Sequence, residues 1–327
     1  MRLAEFGDND YAVRVAADLS RALFRYRADT AIRRITEAVD QNVEEIGERP
    51  IEEARRPLRG LDAVYGAGLV WVEDRTQAVV LLDIHAAHLD TPVTDRDAVP
   101  GSPSRLNYRS EIGNLVANLL DGTPDVWAIL ITEPQPQFAT VETATGPSRT
   151  GTFGVVVHPQ TQGTWAQDLI TTAGHIAPSS GQAVVRDLQQ NQGNVVWSQD
   201  PACASAPIPC VDFALIDPQQ AGITGTSAVK LGRSAPSQQV EVHGAVTKVG
   251  TSYTMGFTPA LYVPSATGMW AQTYFTGTQC SRKGDSGAPV FEPGTNTVVG
   301  HVVGASPPMM SFIQDLDTQL RATNCKL

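Results

Sequence analysis

Three short segments carry residue types that together could do nucleophilic chemistry. Leu169-Ile170-Thr171-Thr172-Ala173-Gly174-His175 is an apolar run ending in a histidine. Val211-Asp212-Phe213-Ala214-Leu215-Ile216 opens an apolar run with an acid, and Gly284-Asp285-Ser286-Gly287-Ala288-Pro289-Val290 sets a serine between glycines. A serine hydroxyl is a poor nucleophile at its own pKa and needs an adjacent base. Histidine suits that task because it titrates near neutrality, and general-base assistance is worth roughly 10²–10⁴-fold. A buried carboxylate then holds the imidazole tautomer and stabilises the imidazolium that forms. The glycines serve a separate end: they let the backbone turn so that the N–H groups of Gly284 and Ser286 face a developing oxyanion, where losing one donor costs about 3 kcal/mol. Singly, each segment has an ordinary reading as a strand end or a turn. Jointly they point to Ser286 as nucleophile, His175 as base and Asp212 as orienter.

In this order, His then Asp then Ser, the three segments resemble the signatures of trypsin/chymotrypsin-like serine proteases. The spacings of 37 and 74 residues (212 − 175 and 286 − 212) are similar to those of that family's compact bacterial members. Lys248-Val249-Gly250-Thr251-Ser252-Tyr253-Thr254-Met255-Gly256 also resembles the Gly/Thr-rich strand that opens the second barrel in those relatives. The resemblance spans residues 151–327. It implies two six-stranded antiparallel β-barrels with His175 and Asp212 on the first and Ser286 on the second. It further implies hydrolysis of peptide bonds through an acyl-enzyme on Ser286, with no cofactor and no metal. Counting from Ser286, it places Cys280 near the base of the primary specificity pocket and Val303, Gly304 and Ala305 along the wall where a substrate backbone pairs. His301 precedes that wall and is similar in position to the histidine of glutamate-specific relatives. No acid stands at the pocket base, which argues against strict Lys/Arg preference.

The chain departs from the family pattern at several positions. Ile176 follows the histidine where the common animal enzymes carry Cys, and Cys280 lies six residues before Ser286 (286 − 280) where the usual disulfide cysteine lies four before. The four cysteines, Cys203, Cys210, Cys280 and Cys325, allow three pairings. Cys203–Cys210 is the pairing to expect in an oxidising compartment, and free thiols are expected in a reducing one. Many relatives need a freshly cleaved N-terminus to pair with the acid before the catalytic serine, here Asp285. Cleavage after Arg149 would free Thr150-Gly151-Thr152-Phe153-Gly154, but the favoured expectation is an internal partner for Asp285.

The elements that must position these residues fall into two stretches of different texture. Residues 1–150 hold 24 of the 34 acids and 16 of the 24 bases, all of those bases Arg, a net of −8 (16 against 24). Residues 151–327 hold the other 10 acids and 8 bases, a net of −2, together with every cysteine. In the first stretch Ala12, Val15, Leu19, Leu23 and Tyr26, then Ile32, Ile35, Val39, Val43 and Ile46, recur at helical spacing up to Gly47 and Pro50. The Arg-rich segment Arg21–Arg34 is read as the solvated face of that helix. A hairpin is expected from Gly68–Val72 and Ala78–Ile84, a helix over Ser110–Leu120 and a strand at Val126–Thr132. Residues 134–150, rich in Pro, Thr, Gly and Ser, read as a linker.

Beyond residue 151, short apolar runs at Phe153–Val157, Leu169–Thr172, Ala183–Val185, Val195–Trp197, Phe213–Ile216, Val240–Val249, Met269–Phe275, Ala288–Phe291 and Val298–Val303 indicate an all-β barrel or sandwich, with a helix over Phe312–Leu320. The expected organisation is therefore an acidic α+β accessory domain (1–133), a linker (134–150) and an all-β double-barrel domain (151–327).

Composition excludes other classes. A net charge of −10 leaves no basic footprint for phosphate backbones, so no nucleic-acid partner is expected. No apolar run approaches a membrane span, and the N-terminus has Arg2, Glu5, Asp8 and Asp10 where a secretory leader needs an apolar stretch, which points to a cytoplasmic protein, with secretion as the alternative if a leader is missing from this sequence. Asp83, His85, His88 and Asp90 collect metal-capable groups, but strand spacing spreads them over both faces, and a structural role is expected. His158 and His243 have no company in the sequence that suggests chemistry. Two alternatives to an active protease follow: a silent protease fold used as a binding module, or a protease whose residues 1–150 serve as prodomain, inhibitor or adaptor for a protein partner.

Overall fold

The computed structural model describes residues 3–7, 9–41, 64–72, 75–83, 104–105, 126–132, 134–136, 139–143, 146–160, 168–178, 180, 183–184, 193–201, 209–218, 225–262 and 268–327. Helix α1 (Asp10–Gln41) begins where Asn9 Oδ1 accepts the backbone N–H groups of Tyr11 and Ala12 (3.1 and 3.3 Å), donors that a first helical turn leaves unpaired. Ala12, Val15, Ala16, Leu19 and Leu23 are buried, and this stripe packs on Val64, Ala67 and Leu69 of β1 (Val64–Val72) and Ala78, Val80 and Leu82 of β2 (Arg75–Asp83). β1 and β2 are antiparallel, and β3 (Val126–Ile131) runs parallel to β2. Val79, Leu81, Ile129 and Ile131 fill a second apolar cluster on the other face. Both faces are covered, which is why these strands read as unbroken apolar runs. The stop at Gly47 and Pro50, the helix expected over 110–120, and His85, His88 and Asp90 lie outside the described residues.

In the second stretch β4 (Val156–Pro159), β5 (Leu169–Thr172), β6 (Gly193–Gln199) and β7 (Phe213–Asp217) join the two-residue strands Ala183–Val184 and Cys325–Lys326 in a six-stranded sheet. Besides the two-residue strands Pro209–Cys210 and Lys230–Leu231, the remaining described strands are β8 (Gln239–Gly244), β9 (Lys248–Tyr262), β10 (Met269–Thr276), β11 (Pro289–Phe291), β12 (Thr297–Ser306) and β13 (Met310–Asp315). Their pairings run in a ring, β8–β9–β10–β13–β12–β11 and back to β8, every neighbour antiparallel.

Two sequence expectations change here. Phe312–Leu320 is not one helix: its first residues complete β13, buried throughout, and helix α2 (Leu316–Thr323) starts only after Asp315, whose carboxylate accepts the Thr318 N–H at 2.8 Å. Pairing with β10 and β12 overrides the helical spacing. The stretch read as a linker contains strands: Ala139–Thr143 pairs with Gly146–Thr150, and Gln135–Pro136 lies on β12.

Sheet pairing and apolar packing also cross the boundary in charge at residue 150. The second half of β9 carries β10 on one side and β1 on the other, in the register Gly66↔Leu261, Leu69↔Phe257 and Val70↔Gly256. The approach is close enough to exclude side chains. A Cβ on Gly68 would lie 2.0 Å from the Phe257 carbonyl oxygen, and one on Gly256 would lie 2.0 Å from the Phe275 ring. Among the described residues, no helix is long and apolar enough to cross a membrane. Gly68→Ala is expected to destabilise the chain by about 1–3 kcal/mol, the usual range for forced overpacking, read as a lower denaturation midpoint. An unchanged midpoint would show that the β1–β9 junction bears no load.

Candidate active site

The three sequence segments meet where the two sheets face each other. His175 follows β5 in a turn closed by Ile176 N–H on Ala173 O (3.2 Å) and Ala177 N–H on Gly174 O (3.1 Å). Gly174 passes so near the next strand that a Cβ there would lie 1.9 Å from Gln199 O. Asp212 immediately precedes β7, and Ser286 occupies a turn before β11 in which Gly284 and Gly287 take φ of +98° and +86°. L-residues rarely adopt that backbone region.

Asp212 is fully buried, as is Ser286, and His175 is 3% exposed. Asp212 Oδ2 lies 2.6 Å from His175 Nδ1, Asp212 Oδ1 accepts the His175 backbone N–H at 2.8 Å, and His175 Nε2 lies 2.8 Å from Ser286 Oγ. An ionised carboxylate can only accept, so Nδ1 carries the proton and Nε2 is free to accept the Ser286 hydroxyl proton. The arrangement can therefore take a proton from Ser286 and hold the resulting imidazolium against a buried negative charge.

Residues that the sequence did not single out hold this geometry. Trp270 of β10 donates its indole N–H to Asp212 Oδ2 at 2.9 Å. Gln314 of β13 accepts the Asp212 backbone N–H (2.7 Å) and donates to Cys210 O and Ala271 O (3.0 and 2.8 Å). Gln319 of α2 donates to Gln314 Oε1 (3.0 Å) and Asp212 O (3.5 Å). Thr152 ties the sheets together on the serine side: its N–H donates to Ser286 O (2.8 Å), its hydroxyl to Gly284 O (2.9 Å), and its carbonyl accepts the Thr172 hydroxyl (2.9 Å). None of these carries a local motif: pairing of Cys210 beside Trp270 brings the indole to Asp212, and pairing of Gln314 with Thr273 of β10 brings that amide.

Asp285, also fully buried, has its donors within the chain. Its carboxylate accepts the N–H groups of Val246 (2.9 Å), Thr247 (3.2 Å) and Arg282 (2.8 Å) and the Thr247 hydroxyl. These groups belong to the β8–β9 turn and to the loop before Ser286.

His301 precedes the strand segment expected to form the substrate wall. It is buried and faces the interior: the Thr171 hydroxyl, which accepts Val155 N–H (2.8 Å), donates to Nε2 (3.2 Å), and Nδ1–H donates to Gln319 Oε1 (2.9 Å). Phe213 stacks on the ring at 5.7 Å. Cys280 is buried beside an open pocket of about 300 Å³ lined by Thr247, Thr251, Gln279, Ser281, Arg282 and Pro308. Val303, Gly304 and Ala305, on β12, are not among the residues that line it. Cys210, Cys280 and Cys325 are buried free thiols, and Cys203 lies outside the described residues. Burial raises all three thiols, Cys210 to about 12 with Asp212 and Asp200 adding to the shift, so they stay protonated and inert at neutral pH. His158 pairs with Asp168 and His243 with Glu241, both at the surface.

No family model matches the chain, and no curated protein matches it. Among solved structures it is similar to serine proteases of chymotrypsin type. One is described as a glutamic acid specific serine protease (17% identity over 54% of this chain and 92% of that one, TM-score 0.42). Others are the Cellulomonas bogoriensis chymotrypsin (16%, 60% and 97%, TM-score 0.40) and the Nocardiopsis protease (20%, 57% and 94%, TM-score 0.42).

Two measurements test the buried network. Trp270→Phe leaves Asp212 one donor short and is expected to cost about 1–3 kcal/mol of stability; no loss would remove Trp270 from the account. Burial lowers His301 to about 4 from 6.5, against a smaller opposing effect of Gln319. The folded chain keeps this ring neutral while the unfolded chain protonates it near 6.5. Stability from this group is therefore full above pH 6.5 and is lost as pH falls towards 4, by about 3 kcal/mol at most. His301→Gln should flatten the decline between pH 6.5 and 4 in denaturant titrations, and an equally steep decline would contradict the assignment.

Proposed function

We propose that the chain is a serine endopeptidase of the chymotrypsin type. The observation that carries this reading is the unbroken chain of hydrogen bonds from Ser286 Oγ through His175 to the buried Asp212 carboxylate, at 2.8 and 2.6 Å. In the proposed reaction His175 Nε2 takes the Ser286 proton as Oγ attacks a peptide carbonyl carbon. The carbonyl π electrons move to oxygen, and that oxyanion is met by the N–H groups of Gly284 and Ser286. His175 then returns the proton to the leaving amine as the C–N bond breaks, which leaves an acyl-enzyme. Water, deprotonated by the same nitrogen, hydrolyses it. Asp212 stays ionised throughout and holds the imidazolium in place.

The two-barrel architecture belongs to the same reading. The ring of six strands carries Ser286, and the six-stranded sheet carries His175 and Asp212. Asp285, already satisfied by the β8–β9 turn, supports activity without a newly formed N-terminus. The pocket beside Cys280 has polar walls and Arg282 at its edge, which supports neutral or acidic side chains over basic ones at the cleavage site.

Hydrolysis of a mixed peptide library by the purified chain tests this. Ser286→Ala and His175→Ala should each lower kcat/KM by about 10⁴-fold or more, and Asp212→Asn by about 10⁴-fold. Cleavage that survives Ser286→Ala would assign it to another centre or a contaminant, and no cleavage by the folded wild type under any condition would remove the reading.

A further inference from the structure

Strand β12 leads past the nucleophile and then offers an edge. Val302 is locked beside the serine turn, accepting Gly287 N–H (2.8 Å) and donating to Ala288 O (3.0 Å). Beyond it, Gly304, Ala305 and Ser306 pair on one side with Phe312, Ser311 and Met310 of β13. Their other side is occupied from within the chain: Pro136 pairs antiparallel with Gly304 and Gln135 with Ala305. Thr132 extends the contact, since its carbonyl accepts the Ser306 hydroxyl (2.9 Å), its own hydroxyl lies 2.7 Å from Ser306 Oγ, and that hydroxyl donates to Pro307 O (3.2 Å).

An extended peptide recognises a sheet edge by adding a strand to it, with main-chain hydrogen bonds supplying affinity. A strand laid antiparallel on Gly304–Ser306 points its C-terminal end towards Val302 and the serine turn. That is the direction a substrate must take to bring a carbonyl to Ser286. The segment is built for an extended course, because prolines at 134 and 136 hold φ near −65° and bias the residues before them away from helix. Neither proline has an N–H, so donation to the edge within Pro134–Pro136 falls to Gln135. The chain returns to the serine turn at Thr152, so the strand is tethered on both sides and meets its groove at an effective concentration in the millimolar range.

We propose that Gln135–Pro136, supported by Thr132, are a built-in competitor for the β12 edge, lying where the acyl-side residues of a substrate pair, so that the chain cleaves extended peptides slowly until this strand is displaced. The proposal rests on the proteolytic reading above. It gives a concrete task to part of the first 150 residues and makes displacement or cutting of the Gln135–Pro136 strand the activating event.

The test compares the full chain with Gln135→Pro on two substrates: a peptide with four residues on the acyl side, and a single-residue ester that does not reach Gly304–Ser306. The variant should lower KM for the peptide at least tenfold with kcat changed less, while the ester's KM moves by less than twofold. Thr132→Ala, which removes only a hydroxyl, should lower the peptide's KM about threefold and decides the matter alone if Gln135→Pro fails to fold. Unchanged peptide KM in proteins that still cleave the ester would overturn the competitor and leave the protease reading standing. If neither substrate is cleaved by wild type or variant, the protease reading falls and the competitor with it.

Discussion

A carboxylate with no exposed surface sets the terms for this fold. Burying an ionised group without partners costs far more than a domain's net stability, so Asp212 can sit where it does only if donors converge on it. They come from different parts of the chain: the backbone and ring of His175 after β5, and the indole of Trp270 on β10. Its own peptide N–H is held by Gln314 of β13, which Gln319 of α2 holds in turn. The six-stranded sheet and the ring are thus fastened at the point where a charge must be neutralised. The same fastening fixes the tautomer of His175 and leaves Nε2 to Ser286.

Asp285 repeats the solution on one side of the site. Its donors all come from the ring's own loops, so it shapes the serine turn without reference to the other sheet. Gly244 shows how tightly that arrangement is drawn, since a Cβ there would lie 2.2 Å from Asp285 Oδ1. Two buried carboxylates thus reach the serine turn by different routes: Asp212 through the His175 ring that contacts Ser286 Oγ, and Asp285 through the N–H groups of the β8–β9 turn and of the loop before Ser286. Among the described residues the thiols are kept protonated at neutral pH by burial.

Much of the site was legible in the sequence because its chemistry is local. A histidine ending one apolar run, an acid opening another and a serine between glycines are each short patterns, and their combination narrows the reading sharply. The supporting shell was not legible. Trp270, Gln314 and Gln319 look like ordinary residues of apolar or amphipathic runs, and their role depends on strands far apart in sequence. His301 is likewise held by partners far apart in sequence, Thr171 and Gln319, that no local pattern announces. The helix expected over Phe312–Leu320 failed for a related reason, since an apolar run of that length fits strand and helix alike until its neighbours are known. Composition likewise marked a change at residue 150, whereas hydrogen bonding across β1 and β9 takes no account of charge.

Activation of Ser286 by His175 in the folded chain can be read by peptide mapping with mass spectrometry after exposure to a fluorophosphonate. A single phosphonyl adduct on Ser286 is expected, lost in His175→Ala although that variant stays folded. A folded wild-type chain that takes up no label, or takes it up equally well without His175, would contradict it.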